Sequence, residues 1–209
     1  MLQQPQGQED LQWLAALPAL AGVMVAKVES AAALRAVHAQ LPAAALLPLI
    51  ESAAGWSALS EIAAVGGVLR LVVGHIDFMA DTGMQCAQDE AELMPLRFAV
   101  AMATRLQRLA TAVDGVTVAI QDDERLRQDT RRALRLGFGA KLCIHPRQVD
   151  IVHEVLAPTA AEMDRARRVI AADAASQGAA VQVDGRMVDL PVVLQARRLL
   201  ARGERVHCA

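Results

Sequence analysis

The chain has 209 residues, 54% hydrophobic and only 2% aromatic, with no Tyr and a formal net charge of −2. That length suits one domain with a sizeable core, or two small ones, built from Ala, Leu and Val. The near-neutral charge argues against a nucleic-acid partner. The longest apolar stretch, around residues 13–26, holds Pro18 and Gly22 and falls short of a membrane span.

Residues 1–9 are Gln-rich, with Pro5 and Gly7, and are expected to be unstructured; without a basic n-region they make no signal peptide. A short helix over 9–17 is stopped by Pro18. AGVMVAKVES (21–30) reads as a buried strand with a charged tip, and AAALRAVHAQ (31–40) as a helix. LLPLIES (46–52) is the next strand, SALSEIAAV the next helix and GVLRLVVGHIDF (67–78) the third strand. A helix follows over 94–113, a β-branched strand VTVAIQ over 116–121, and an amphipathic helix from Asp122, ended by Gly137 and Gly139. AKLCIHP (140–146) is a fifth strand. Met24, Met84, Met94 and Met102 read as core filler. The Arg and Lys residues of 125–141 read as a solvated face.

Strand followed by helix, repeated in this way, predicts an α/β fold with a parallel sheet, either doubly wound or a (β/α) barrel. No G-x-G-x-x-G or Walker-type loop follows any strand, which disfavours nucleotide binding. Polar strand tips (Lys27 and Glu29, Glu51, His75 and Asp77, Gln121 and Asp122, His145) favour a TIM-type (β/α)8 barrel, where such tips meet at one mouth. Only five strands are found, so the barrel is expected to be incomplete. The tail differs in kind. It has helices over 146–158 and 159–177, the second with Thr159 and Glu162 spaced as a capping box. A hairpin turns at Asp184-Gly185 and a helix begins at Leu190. We expect a partial barrel domain over 1–156 and a C-terminal helical extension, or oligomer arm, over 157–209. The widely spaced Cys86, Cys143 and Cys208 point to reduced thiols and a cytoplasmic protein.

Glu51 and Asp77 end two successive strands joined by one crossover, so their carboxylates should open on the same sheet edge. Two hard oxygen donors there can hold a divalent cation, and equally such acids can cap the next helix or pair with Lys. Lys27 reads as a partner for a neighbouring acid. His75 and His145 can reach a substrate or be hydrogen-bonded core residues. Asp81 and Gly83 should shape the loop after Asp77.

The blocks GVMVAKVES, LLPLIESAAG, LVVGHIDFMADTG, VDGVTVAIQDDERL, LGFGAKLCIHPRQVDIV and DGRMVDLPVV, in that order, resemble the citrate lyase β-subunit-like family of the HpcH/HpaI aldolase superfamily, with its malyl-CoA and citramalyl-CoA lyases. The resemblance implies a (β/α)8 barrel that binds Mg²⁺ and makes or breaks a C–C bond in hydroxyacyl-CoA thioesters, yielding an acetyl-CoA-type thioester and an oxo acid. It implies Glu51 and Asp77 as metal ligands and Asp189 as the catalytic acid/base, delivered to a neighbouring subunit of a homo-oligomer. Asp189 also precedes Leu190-Pro191, where an Asp is a routine helix cap. Relatives begin with about three further strands and an Arg expected to grip the substrate carboxylate; these blocks are not found here, and Ala26 stands where a Pro is usual. The alternative is therefore a non-catalytic shortened homologue serving as a binding or assembly subunit.

Overall fold

The computed structural model describes residues 5–176 and 181–207, so Cys208 lies outside the described residues. Helix α1 spans Pro5–Ala15, so the expectation of an unstructured 1–9 fails from Pro5 onward. Leu11 and Leu14, one helical turn apart, give that helix an apolar stripe against the core. The chain continues through β1 (Gly22–Val25), α2 (Ala31–Gln40), β2 (Ala45–Ile50), α3 (Ala53–Ser57) and α4 (Leu59–Ala63). Next come β3 (Val72–Val73), α5 (His75–Thr82), α6 (Met94–Leu106), β4 (Val113–Asp114), α7 (Asp123–Arg135), β5 (Ala140–Lys141) and α8 (Arg147–Leu156). The chain forms two compact units, residues 1–149 and 150–209.

In the first unit the five strands form one parallel sheet in the order β1-β2-β3-β4-β5, following the chain without a reversal. Pairing runs Val25 to Pro48, Ile50 to Val73, Val72 to Val113 and Asp114 to Lys141. Leu46 and Ile50 point into the buried core with Leu34, Val37, Ile62 and Val100, whereas the alternate Leu47 and Leu49 are only half-buried. That alternation is the pleat of a strand whose two faces meet different surroundings. Met24 and Met102 are exposed rather than core filler.

Three strand expectations need correction, and the first is AKLCIHP, of which only Ala140–Lys141 is strand. HIDF does not extend β3; the strand stops at Val73 and these residues open α5. VTVAIQ is not β4 either. The strand lies earlier, at Val113–Asp114, and Val118 is exposed. The reason is that side chains capture the carbonyls a ladder would use. The Lys141 ammonium donates to Gly115 O at 2.5 Å, and Gln148 Nε2 donates to Thr117 O at 2.8 Å. The helix expected over 94–113 ends at Leu106, and two residues beyond it give their N–H groups to carbonyls just before β3, Ala110 to Leu69 and Val113 to Leu71.

The second unit carries α9 (Ala160–Ala175), the antiparallel pair β6 (Val181–Val183) and β7 (Arg186–Val188), and α10 (Leu190–His207). The Thr159/Glu162 capping box is formed in both directions. Asp184 and Gly185 both adopt positive φ, as the tight hairpin turn requires. Its core is Ala166, Val169, Val188, Val193 and Ala196. Among the described residues no helix is long and apolar enough to cross a membrane.

A candidate metal-binding acid pair

Glu51 follows the last residue of β2 and is 5% exposed. Its Oε1 accepts the backbone N–H of Lys27 at 2.7 Å. Ser52 then caps α3 by accepting the Gly55 N–H at 3.1 Å, so strand, acid and helix start are fixed within a few residues. Gly74 ends β3 directly over Glu51: a Cβ there would stand 2.6 Å from Glu51 Cβ and 2.9 Å from Oε2. Only glycine lets the two strand ends approach so closely.

Asp77 lies in the first turn of α5, not at a strand tip, where a carboxylate suits the positive end of the helix. Its side chain is about half exposed, and its Oδ1 lies 3.6 Å from the Lys27 ammonium. Lys27 thus serves both acids, one through its backbone and one through its side chain. Asp81, also on α5, accepts the Ala53 N–H at 2.8 Å and ties α5 to the start of α3. Gly83 closes α5 with φ +70. Glu51 and Asp77 line a small cavity of about 190 Å³ together with Leu49, Val73, Val116 and Leu142.

Burial raises the proton affinity of Glu51, the Lys27 N–H opposes it, and the Asp77 charge adds to it; the balance lies above the ordinary carboxylate value. Among the described residues the Lys27 ammonium is the one cation in ion-pair reach of the two carboxylates, beside Asp77. Among the described residues no third His, Cys, Asp or Glu completes a metal cluster. Two carboxylates suit Mg²⁺, which demands hard oxygens in an octahedron but commonly keeps several waters or substrate oxygens. The donor set fits such an ion.

His75 is buried between this cavity and a second one of about 440 Å³, lined also by Ile76, Met79, Glu90, Thr117 and Arg125. Its Nε2 lies 3.8 Å from Glu90 Oε1, and burial lowers its proton affinity more than Glu90 raises it. Its ring packs on Gly115, where a Cβ would be 2.1 Å from Nδ1. His145 is exposed, and its Nδ1 accepts the Arg147 N–H at 3.1 Å. Gln121 is in a loop and Asp122 caps α7 by accepting the Arg125 N–H.

Sequence reasoning missed Glu90. This residue, at φ +53, accepts Arg97 Nη2 at 2.6 Å and Arg132 Nη2 at 2.8 Å, with Arg125 Nη2 at 3.4 Å. Arg97 Nε donates to the fully buried Asp114 at 2.9 Å. Arg125 and Arg132 also flank Asp129, which accepts the Thr117 hydroxyl. Arg125, Arg132 and Lys141 are therefore not a solvated face. Arg97 could have been found as the one charge on the buried stripe of α6, beside Leu96, Val100 and Thr104.

Asp189 belongs to the second unit, where it is exposed and caps α10: its Oδ1 faces the Val192 N–H at 3.4 Å. The structure thus brings Glu51 and Asp77 together and seats Asp189 at a helix start.

Fold and site together define an α/β protein with a carboxylate pair at one edge of a parallel sheet. The chain belongs to the HpcH/HpaI aldolase/citrate lyase family, whose model matches residues 1–146. It is 39% identical to a citrate lyase subunit beta-like protein of Deinococcus radiodurans, over 96% of this chain and 72% of that protein. It is 35% identical to a (3S)-malyl-CoA thioesterase of Cereibacter sphaeroides, over 96% of this chain and 70% of that one. Among solved structures, the CitE protein of Mycobacterium tuberculosis in complex with magnesium, acetoacetate and coenzyme A superposes with a TM-score of 0.84. It is 30% identical, and the match covers 97% of this chain and 75% of that chain.

Proposed function

We propose that this chain is a Mg²⁺-dependent carbon–carbon lyase of hydroxyacyl-CoA thioesters, built on a (β/α) barrel arc. The observation that carries the reading is the acid pair, Glu51 and Asp77, gathered at one cavity beside the half-exposed Lys27 ammonium. The sequential parallel order of the strands supports the barrel. The CitE complex with magnesium and coenzyme A supports the ion and the thioester class.

Glu51 and Asp77 would hold the ion, Glu51 fixed by the Lys27 N–H and Asp77 by the first turn of α5. A bound divalent ion supplies Lewis-acid stabilisation of negative charge on substrate oxygens. The half-buried faces of Leu49 and Val116 limit water around the reacting carbons. Asp189, delivered from a neighbouring subunit of a homo-oligomer, would take the proton from the substrate hydroxyl; its exposed carboxylate at a helix start is available as a base, and capping does not consume both oxygens.

The test is cleavage of citryl-, malyl- and citramalyl-CoA with and without Mg²⁺. Glu51→Gln and Asp77→Asn should each lower Mg²⁺-dependent turnover by about a hundredfold or more, on the scale of losing an electrostatic group at the reacting centre. Turnover retained in either variant removes that acid from the site. The (3S)-malyl-CoA thioesterase relative favours a second reading, thioester hydrolysis. The same assay separates the two, since hydrolysis releases free CoA and an intact hydroxy acid, whereas cleavage releases a shorter thioester and an oxo acid. A chain that turns over none of these thioesters and gives no heat with Mg²⁺ or a CoA thioester is instead a binding or assembly subunit.

A further inference from the structure

We propose that Lys27 is the resident counter-ion of the acid pair: its ammonium holds the electrostatic place of the divalent cation beside Asp77 and competes with it. The inference rests on the reading of Glu51 and Asp77 as a cation site and adds to that site a residue with two separate duties.

The first duty belongs to the backbone. Lys27 is one of the few non-glycine residues at positive φ, +50°. A side-chain-bearing residue persists there only where its surroundings over-determine it, and such positions gather at functional sites. Here the surroundings are plain. Val25, two residues before, and Val28, directly after, are 3% and 1% exposed, and the carbonyl of Val28 fits against Gly55, where a Cβ would come within 2.6 Å. The turn between two buried valines swings the Lys27 N–H onto Glu51 Oε1. That bond orients the carboxylate whatever lies beyond it.

The second duty belongs to the ammonium. It lies 3.6 Å from Asp77 Oδ1 while the side chain is 44% exposed, so it is held by charge rather than by packing. A divalent ion entering between Glu51 and Asp77 would repel it, and a flexible four-carbon stem lets it leave toward solvent. The backbone bond to Glu51 is untouched by that exchange. A residue that only stiffened the fold would gain nothing from an exposed, exchangeable charge at this point.

Competition gives a sign that a structural role does not. Mg²⁺ is titrated calorimetrically into the full chain at low, fixed ionic strength. Lys27→Met, which removes the charge and keeps the length, should bind Mg²⁺ about two- to fivefold more tightly than wild type, the range an exposed ion pair commands. Lys27→Arg should match wild type. Lys27→Gly adopts the positive φ freely and lacks the ammonium; it should show the same gain, and it keeps the test open should the Met variant fold poorly. Equal or weaker binding by both neutral variants, with wild type binding, overturns the counter-ion role and leaves the cation site standing. No binding by any of the four proteins overturns the role and the site together. Binding by the neutral variants alone supports both.

Discussion

The first unit holds two gatherings of carboxylates that solve the same electrostatic problem in opposite ways. Around Glu90, Asp114 and Asp129 stand Arg97, Arg125, Arg132 and Lys141. The acids there are matched or outnumbered, and Arg97 and Asp114 are 1% and 0% exposed. Glu51 and Asp77, by contrast, have among the described residues the one ammonium of Lys27 and open on a cavity. A saturated cluster has no room for another cation and gains by staying closed. An undersupplied pair at a cavity gains by taking one. Charge supply, more than the presence of acids, separates the structural gathering from the candidate site.

Breaking the saturated cluster should be costly. Arg97→Met leaves Asp114 buried with Lys141, 3.9 Å away, as its one remaining cation among the described residues. Removing one partner of a buried pair costs about 3–5 kcal/mol, because the remaining charge cannot reach water. Urea unfolding should show the loss as a lower midpoint with an unchanged slope. A loss below about 1 kcal/mol would place this cluster in the same class as a surface pair and dissolve the contrast.

The two gatherings also differ in how far the sequence exposes them. Glu51 and Asp77 stand just past apolar runs of strand length, where a parallel sheet must present its carboxyl edge, and the six-block resemblance names the same two. Yet Asp77 reaches the edge from a helix, because Gly74 must pass over Glu51 and that close approach ends the strand. Periodicity does not report a backbone contact between strands. Glu90 is still less legible. It sits in a polar stretch, and its partners Arg125 and Arg132 lie on a helix some forty residues later, so only the folded arrangement assembles them. Short-range patterns served the second unit best: the capping box and the Asp184-Gly185 turn depend on neighbours in sequence.

Glu51 sharpens the contrast through pH. Its proton affinity is raised in the fold, first by burial and then by Asp77, over the opposing Lys27 N–H. An acid whose folded value is raised stabilises the fold below its unfolded value of about 4.5, and that contribution is lost as pH rises through the folded value. At pH 7 without metal the ionised Glu51 is therefore a cost. Glu51→Gln carries no charge and keeps an oxygen for the Lys27 N–H. Its stability at pH 7 should lie within about 1 kcal/mol of wild type, on the more stable side. The gap should close as pH falls toward 4. A variant less stable than wild type at pH 7 would make Glu51 a structural acid like Asp114.

Asp77 should show the smallest effect on the fold. Its carboxylate and the Lys27 ammonium are 54% and 44% exposed, so water screens the pair and competes for both groups. Losing such a pair is worth a few tenths of a kcal/mol up to about 1 kcal/mol, and added salt should shrink even that. Asp77→Asn also keeps a polar group in the first turn of α5, so the helix start survives. Thermal unfolding of this variant without metal should match wild type closely, at low and at high salt. The contrast with Arg97→Met is then complete: one carboxylate is removed at little cost to the fold, while another, stripped of its partner, unsettles it. A large loss of stability in Asp77→Asn would mean that the acid pair holds the sheet edge together, and any loss of Mg²⁺ response in that variant would have to be read as damage to the fold.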